Sequence, residues 1–167
     1  MGITAPPLIP TTNEQLTIHC DYRSQGLAKR LSNLYPYKFV FYGQEYGSFE
    51  AFLQSIKFVT EEEKQHIYPM YGVQAFKAGQ AGNAWKLNQI LFHQNRGYER
   101  SSRNYQILIS RAYDALFEQN PDFQQALRQS RAAELRHDFG KTDMTDSVLT
   151  QVEYLYSLYR LCARAFS

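Results

Sequence analysis

No stretch of the chain approaches the ~20 consecutive apolar residues that a membrane-spanning helix needs, so no contact with a membrane is expected. Cysteine is scarce. Cys20 and Cys162 are the two in 167 residues, too few and too far apart for a disulfide framework or a metal spacing, which fits a reducing, cytoplasmic setting. Neither sign of charge dominates, with 18 Lys and Arg against 16 Asp and Glu, and the net charge of +2 gives no broad polycationic surface. The sequence also lacks an H-E-x-x-H run, a Cys/His cluster, a metal-binding group of acids and a serine nucleophile elbow. No catalytic metal and no cofactor are expected. Gly140-Lys141-Thr142 lacks the leading glycine and preceding strand of a phosphate-binding P-loop. The start of the chain has neither the basic residues nor the apolar run of a signal peptide, and Pro6 stands where myristoylation wants Ser or Thr.

Aromatic residues are plentiful, with 13 Tyr and 11 Phe. Most are expected to fill volume, although tyrosines can also stack a flat ligand. The length predicts one domain with a real core: a loosely attached arm over 1–13, then a single domain over 14–167.

The richest stretch runs from Leu31 to Phe58. It reads as a loop, a short hairpin turning at Gly43-Gln44, and a helix capped by Ser48. Phe49, Phe52, Leu53 and Ile56 make one apolar face of that helix. Glu50, Gln54 and Lys57 fall on a narrow polar stripe, bordered by Leu53 and Phe58. A carboxylate and an ammonium at this spacing are commonly a pair on a solvated face. Apolar neighbours instead favour a partly desolvated cleft, where perturbed acids and bases gather. Asn33, just before Tyr35-Pro36, is by itself ordinary loop chemistry.

Elsewhere Leu16, Ile18 and Cys20 alternate as a strand, with His19 facing solvent, and 27–31 forms a helical turn. Helices are expected from Thr60, over 71–81 with Lys77 in it, over 85–94, and over 104–119. Asn95 to Arg103 reads as a polar loop whose three arginines either face solvent or meet phosphates. Pro121 opens the next helix, 138–147 is a loop, and Thr150 with Glu153 forms a capping box for a last helix carrying Cys162 in its apolar face.

The Glu50–Gln54–Lys57 stripe with Asn33 nearby suits cleavage of an N-glycosidic bond, whose transition state is oxocarbenium-like and whose base leaves better when protonated. Glu50 would transfer the proton. Lys57 would attack the sugar as an amine, or only hold a phosphate or polarise an oxygen; spacing does not separate these roles. Gln54 and Asn33 would orient ribose hydroxyls or the base edge.

The segment Leu31-Ser32-Asn33, Tyr35-Pro36, then Ser48-x-Glu50-x-x-x-Gln54-x-x-Lys57-Phe58, resembles the signature of the NADAR, or YbiA-like, family. The likeness is strong over 31–58 and weaker beyond. Departures occur at Gln80, where Ala75-x-x-x-Gly79 would be followed by Arg, and at Asp138-Phe139-Gly140, where the family has an acid and then Trp-Gly. The resemblance implies a mainly α fold with a small β-sheet (α+β). It also implies a hydrolase of N-glycosidic bonds linked to ADP-ribose. Some members remove ADP-ribose from guanine in DNA, reversing a toxin's modification; the YbiA branch acts on ribosylated riboflavin intermediates. On this resemblance the candidate catalytic residues are Glu50 and Lys57, and the candidate substrate-binding residues are Asn33, Tyr35, Gln54, Lys77, Trp85 and Asp138. Lys77, Lys86 and Arg100 are the basic residues expected at a diphosphate. The expected partner is an ADP-ribosylated nucleic acid base or a small ribosylated metabolite, with a toxin as possible counterpart. A module that binds a nucleotide or ADP-ribose without cleaving it, and a plain helical interaction domain, are the readings from other classes.

Overall fold

Every residue of the helix Phe49–Ser55 (α2) is buried, and the rest of the fold packs around it. The computed structural model describes residues 15–17, 26–130, 134–136 and 141–167. The expected arm over 1–13, together with Ile18, His19, Cys20 and Asp138-Phe139-Gly140, lies outside the described residues. The elements before α2 are β1 (Gln15–Thr17), α1 (Gly26–Leu31), β2 (Phe39–Phe41) and β3 (Gln44–Tyr46). After it come α3 (Glu61–Gln65), α4 (Gly72–Ala78) with a 3-10 turn over Gly79–Ala81, α5 (Trp85–Asn88), β4 (Ile90–His93) and β5 (Arg96–Glu99). The chain continues through α6 (Arg103–Gln119), α7 (Pro121–Ser130), β6 (Glu134–Arg136) and α8 (Gln151–Ala165). The fold is helix-rich with small two-stranded sheets, as the sequence predicts. Strands β2–β3 and β4–β5 are antiparallel hairpins, and β1 pairs in parallel with β6.

Ser48 caps α2 by accepting from the Ala51 N–H at 3.1 Å, and its hydroxyl donates to the Met70 carbonyl at 2.9 Å. The rings of Phe49 and Tyr113 stack with centroids 3.7 Å apart, fixing α2 against α6. The face of α6 made by Leu108, Ile109, Ala112, Tyr113, Leu116 and Phe117 is buried, as its periodicity predicts. The expected capping box forms at Thr150–Glu153, and Thr60, the expected start of α3, caps it through a second box with Glu63.

Four expectations are corrected. The first hairpin turns at Tyr42-Gly43, one residue earlier than expected, because a two-residue turn of this hand needs both central residues at positive φ; theirs are 48° and 78°. The expected helix over 85–94 stops at Asn88, where Gln89 adopts a left-handed φ of 60° and the chain becomes β4. Part of the expected polar loop over 95–103 is the strand β5, joined to β4 by Gln94 and Asn95, both at positive φ, and Arg103 already opens α6. Finally, α2 ends at Ser55, and Lys57 follows in a tightened turn in which its N–H donates to the Gln54 carbonyl at 3.3 Å.

Candidate functional site

The polar stripe of α2 opens onto a cavity of about 290 Å³. Asn33, Glu50, Gln54 and Lys57 line it together with Tyr154, Phe76 from α4, Lys86 from α5, and Lys141 and Asp146 from the loop before α8. Residues distant in sequence meet here because α2 runs through the centre of the fold. Asn33 is tied down twice: its carbonyl accepts from the Glu50 N–H at 2.9 Å, and its side-chain oxygen accepts from the Tyr113 hydroxyl at 2.9 Å. Those bonds fix the loop before the hairpin to the first turn of α2 and to α6.

Glu50 is 6% exposed. Burial pushes its carboxyl above the usual range, opposed by the Gln54 hydrogen bond and the Lys57 charge. The Gln54 amide nitrogen donates to Oε1 of Glu50 at 2.5 Å. Lys57, half-buried, is one of three lysines that line the cavity. Burial lowers its pKa, the Glu50 charge raises it, Lys86 and Lys141 lower it further, and Asp146 raises it. Among the described residues no carboxylate oxygen lies within 4.0 Å of its ammonium. At the rim, Asp146 bridges two cations: Lys141 donates to its Oδ2 at 2.6 Å, and Lys86 pairs with its Oδ1. These hydrogen bonds pull the Asp146 carboxyl down to about 2.

The acid of α2 and the amine of the turn after it therefore share a wall of one cavity, where burial holds the Glu50 carboxyl above its ordinary range and the Lys57 ammonium below its own. That combination supports proton delivery to a leaving group and attack by an amine, and the rim supplies positive charge for an anion.

Other expected site residues lie elsewhere. Tyr35 packs on Tyr37, ring centroids 4.5 Å apart, and does not line the cavity. Lys77 is exposed on α4, although its neighbours Phe76 and Gln80 reach the cavity. Trp85 is 2% exposed and belongs to the core. Arg100 neither faces solvent nor lines the cavity. It is 1% exposed and makes a bidentate pair with Glu153, at 3.2 and 2.5 Å, while its Nε donates to the Ser147 carbonyl at 2.8 Å. Lys141, Asp146 and Tyr154 were not legible as site residues. Their sequence neighbourhood carries no signal beyond loop formers and a helix face. Gln80, which stands at the family's arginine position, does line the cavity and supplies no charge there.

Among the described residues, no cluster of three or more His, Cys, Asp or Glu side chains is arranged to hold a metal ion, and no helix is long and apolar enough to cross a membrane. Cys162 is half-buried, with its sulfur 3.0 Å from the Leu127 carbonyl, and lies outside the cavity.

Comparison with known proteins bears on the fold and the family. The structure of the E. coli protein YbiA, solved by NMR, aligns with a TM-score of 0.56 at 15% identity, covering 95% of this chain and 92% of that one. At that identity the likeness speaks for a shared fold. An uncharacterized 17.1 kDa protein of the Gp30–rIII intergenic region of enterobacteria phage T4 is 29% identical over 142 residues, which span 84% of this chain and 92% of that protein. The family described as bacteriophage protein GP30.3 matches residues 25–162, from α1 to the last turns of α8, and the chain belongs to that family, a relative of the NADAR/YbiA-like proteins.

Proposed function

We propose that the protein hydrolyses the N-glycosidic bond of a ribosylated base, and that the substrate is ADP-ribose attached to guanine in DNA. The observation that carries this reading is the joint presence of Glu50 and Lys57 on the wall of one cavity, each shifted by burial toward its neutral form. Neutral Glu50 gives its proton to the departing base nitrogen as the bond to C1′ breaks and its electron pair leaves with the base. The neutral Lys57 amine bonds to C1′ and loses a proton to the Glu50 carboxylate, and the sugar ring opens to a Schiff base. One water then hydrolyses that adduct. The products are the free base and the free sugar, and both side chains return to their starting forms. Lys86 and Lys141 meet the diphosphate at the rim; Asn33 and Gln54 hold ribose hydroxyls or the base edge.

The experiment is incubation with a guanine-ADP-ribosylated DNA oligonucleotide, with release of ADP-ribose followed by mass spectrometry and borohydride added to trap the adduct. Release and trapping by wild type, with neither in Lys57→Ala, are expected. Wild-type turnover surviving Lys57→Ala or Glu50→Gln would remove the assignment of that residue.

A second reading, a small ribosylated metabolite as substrate, is favoured by two observations. The net charge is only +2, and the cavity of about 290 Å³ is near the lower end of small-molecule pockets, roughly 300–1,000 Å³. Silence on DNA with release of base from a ribosylated pyrimidine of the riboflavin pathway would select it. Silence on both, with ADP-ribose still bound, would point to a binding module.

A further inference from the structure

A second pocket shares no lining residue with the first. It has a volume of about 310 Å³ and is bounded by the β2–β3 turn, α3 and the β4–β5 turn. Its floor is buried: Tyr46, Lys64, Tyr68 and His93 are each 6% exposed or less. Tyr42, Gln44, Glu61, Gln94 and Asn95 form a more open rim.

Two floor groups lack what burial normally demands. The Lys64 side chain is 2% exposed, and its ammonium donates to one acceptor, the Phe92 carbonyl at 2.7 Å. An ammonium has three donors, so two remain. Among the described residues no carboxylate oxygen lies within 4.0 Å of it. Glu61 shares the pocket, but it is exposed and one of its oxygens, Oε2, accepts from the Tyr68 hydroxyl at 2.5 Å. His93, the residue after Phe92, is 5% exposed, and its Nε2 is buried without a hydrogen-bond partner. Its ring is held by Phe41, stacked at 5.3 Å, and by the edges of Tyr42 and Phe52 at 5.4 and 6.0 Å. A buried cation and an unpartnered ring nitrogen on one pocket floor are what an incoming oxyanion would satisfy together, through N–H donors from Lys64 and from the Nε2–H tautomer of His93.

We propose that this pocket binds a small organic anion, whose carboxylate or phosphate group sits on Lys64 and His93 and whose body rests against Tyr42 and Tyr68. It stands apart from the candidate catalytic cavity, and its occupant is a ligand in its own right rather than part of the substrate bound there. The pocket is preformed: the floor groups are fixed by the hairpin pairing of β4 with β5 and by the aromatic packing around His93.

The test is an NMR titration of the full-length protein with inorganic phosphate and, separately, acetate at constant ionic strength. It follows the His93 imidazole nitrogens and the Lys64 side-chain nitrogen. Saturable shifts of both groups with one shared midpoint are expected from at least one anion, and the anion that acts identifies the class. Lys64→Met should weaken that response at least roughly tenfold, the scale of a lost hydrogen bond to a charged group. Lys57→Ala with Lys86→Met, which strips cations from the other cavity, should leave it intact. Unmoved His93 and Lys64 resonances with both anions would overturn the proposal, as would an equal response in Lys64→Met. Should Lys64→Met fail to fold, the wild-type titration decides alone, because His93 and Lys64 shifting without a common midpoint also overturns it.

Discussion

Gln54 is held between Glu50 and Gly79. Its amide nitrogen donates to Oε1 of Glu50 at 2.5 Å, and a Cβ at position 79 would run into its side-chain oxygen and the carbons behind it. Gly79 begins the 3-10 turn after α4, so two separate elements decide where one amide of α2 points. The Gln54 side-chain oxygen is buried without a hydrogen-bond partner. A buried polar atom left open beside the cavity that its own side chain lines is an atom that a substrate hydroxyl can satisfy.

Gly79→Ala tests that arrangement. The backbone of Gly79 is ordinary, with φ of −73°, so alanine meets no conformational strain there and any effect is steric. Overpacking at such a contact typically costs about 1–3 kcal/mol. Urea unfolding should show that loss. Turnover on the proposed substrate should fall by more than the population of folded protein, since the displaced amide no longer orients Glu50. A variant as stable and as active as wild type would mean that Gln54 has room to move.

Glu50→Gln separates catalysis from folding. Burial raises the Glu50 pKa in the folded state, so folding favours the protonated form. That favourable contribution is complete below the ordinary value of 4.5 and is lost as pH rises through the raised one. Glutamine cannot ionise, so the variant should be at least as stable as wild type at neutral and alkaline pH. The stability difference should shrink as the medium is acidified. Turnover, in contrast, should drop about 10²–10⁴-fold, the usual contribution of a positioned general acid. Denaturant midpoints across pH, set beside rates, check both halves. A variant less stable than wild type above neutral pH would show that the fold favours the Glu50 carboxylate over the acid.

Much of the candidate site was readable from periodicity. Glu50 and Gln54 share a face of α2 because of their spacing, the cap at Ser48 sets where α2 begins, and Lys57 reaches the same cavity from the turn that follows. What escaped reading is tertiary. Asp146 and Lys141 reach the cavity only because the loop before α8 folds back over α5, with Gln89 donating to the Thr145 carbonyl at 2.9 Å. Arg100 sits in a polar run that looks solvated, yet its partner Glu153 is fifty-three residues away, so no local pattern announces its burial. The expectation of a helix beyond Asn88 fails because Ile90, Leu91 and Phe92 form a short apolar run that fits either period. The left-handed Gln89 that decides the matter is no recognised stop signal. Tyr35 packs on Tyr37 outside the cavity lining, a tertiary contact that its place in the loop does not announce.

His93 makes stability sensitive to acid. Burial lowers its pKa from 6.5 to about 4; the nearby Lys64 charge lowers it and Glu61 raises it. A depressed pKa gives stability that is present above pH 6.5 and is lost as pH falls through about 4. The full difference corresponds to ~3 kcal/mol. His93→Phe keeps a flat ring against Phe41 and removes the titration. It should match or exceed wild type at pH 7 and should lack this loss on acidification. Denaturant midpoints in buffers free of phosphate and carboxylate read the difference; parallel acid profiles would show that His93 is already charged in the fold.

Arg100 is a positioning residue, with a side chain fully buried against a Glu153 that is 16% exposed. Its guanidinium also sits 4.9 Å from the Tyr105 ring centroid. It joins the end of β5 to the first turn of α8, and through the Ser147 carbonyl it anchors the loop that carries Lys141 and Asp146 to the rim. Arg100→Met keeps the length of the side chain but leaves the Glu153 carboxylate without its bidentate partner. Removing one member of a buried pair typically costs about 3–5 kcal/mol, and a shift of that size is expected in urea unfolding. The site should respond in a characteristic way. With the loop released, KM for an anionic substrate should rise while borohydride trapping at Lys57 under saturating substrate persists, because α2 itself is untouched. Arg100→Lys, which keeps the charge but not the fork, should fall between the two in stability. Were Arg100→Met to unfold at the wild-type midpoint, the pair would be neutral in the energetics of the fold, and the loop would have to be held by the Lys86–Asp146–Lys141 bridge instead.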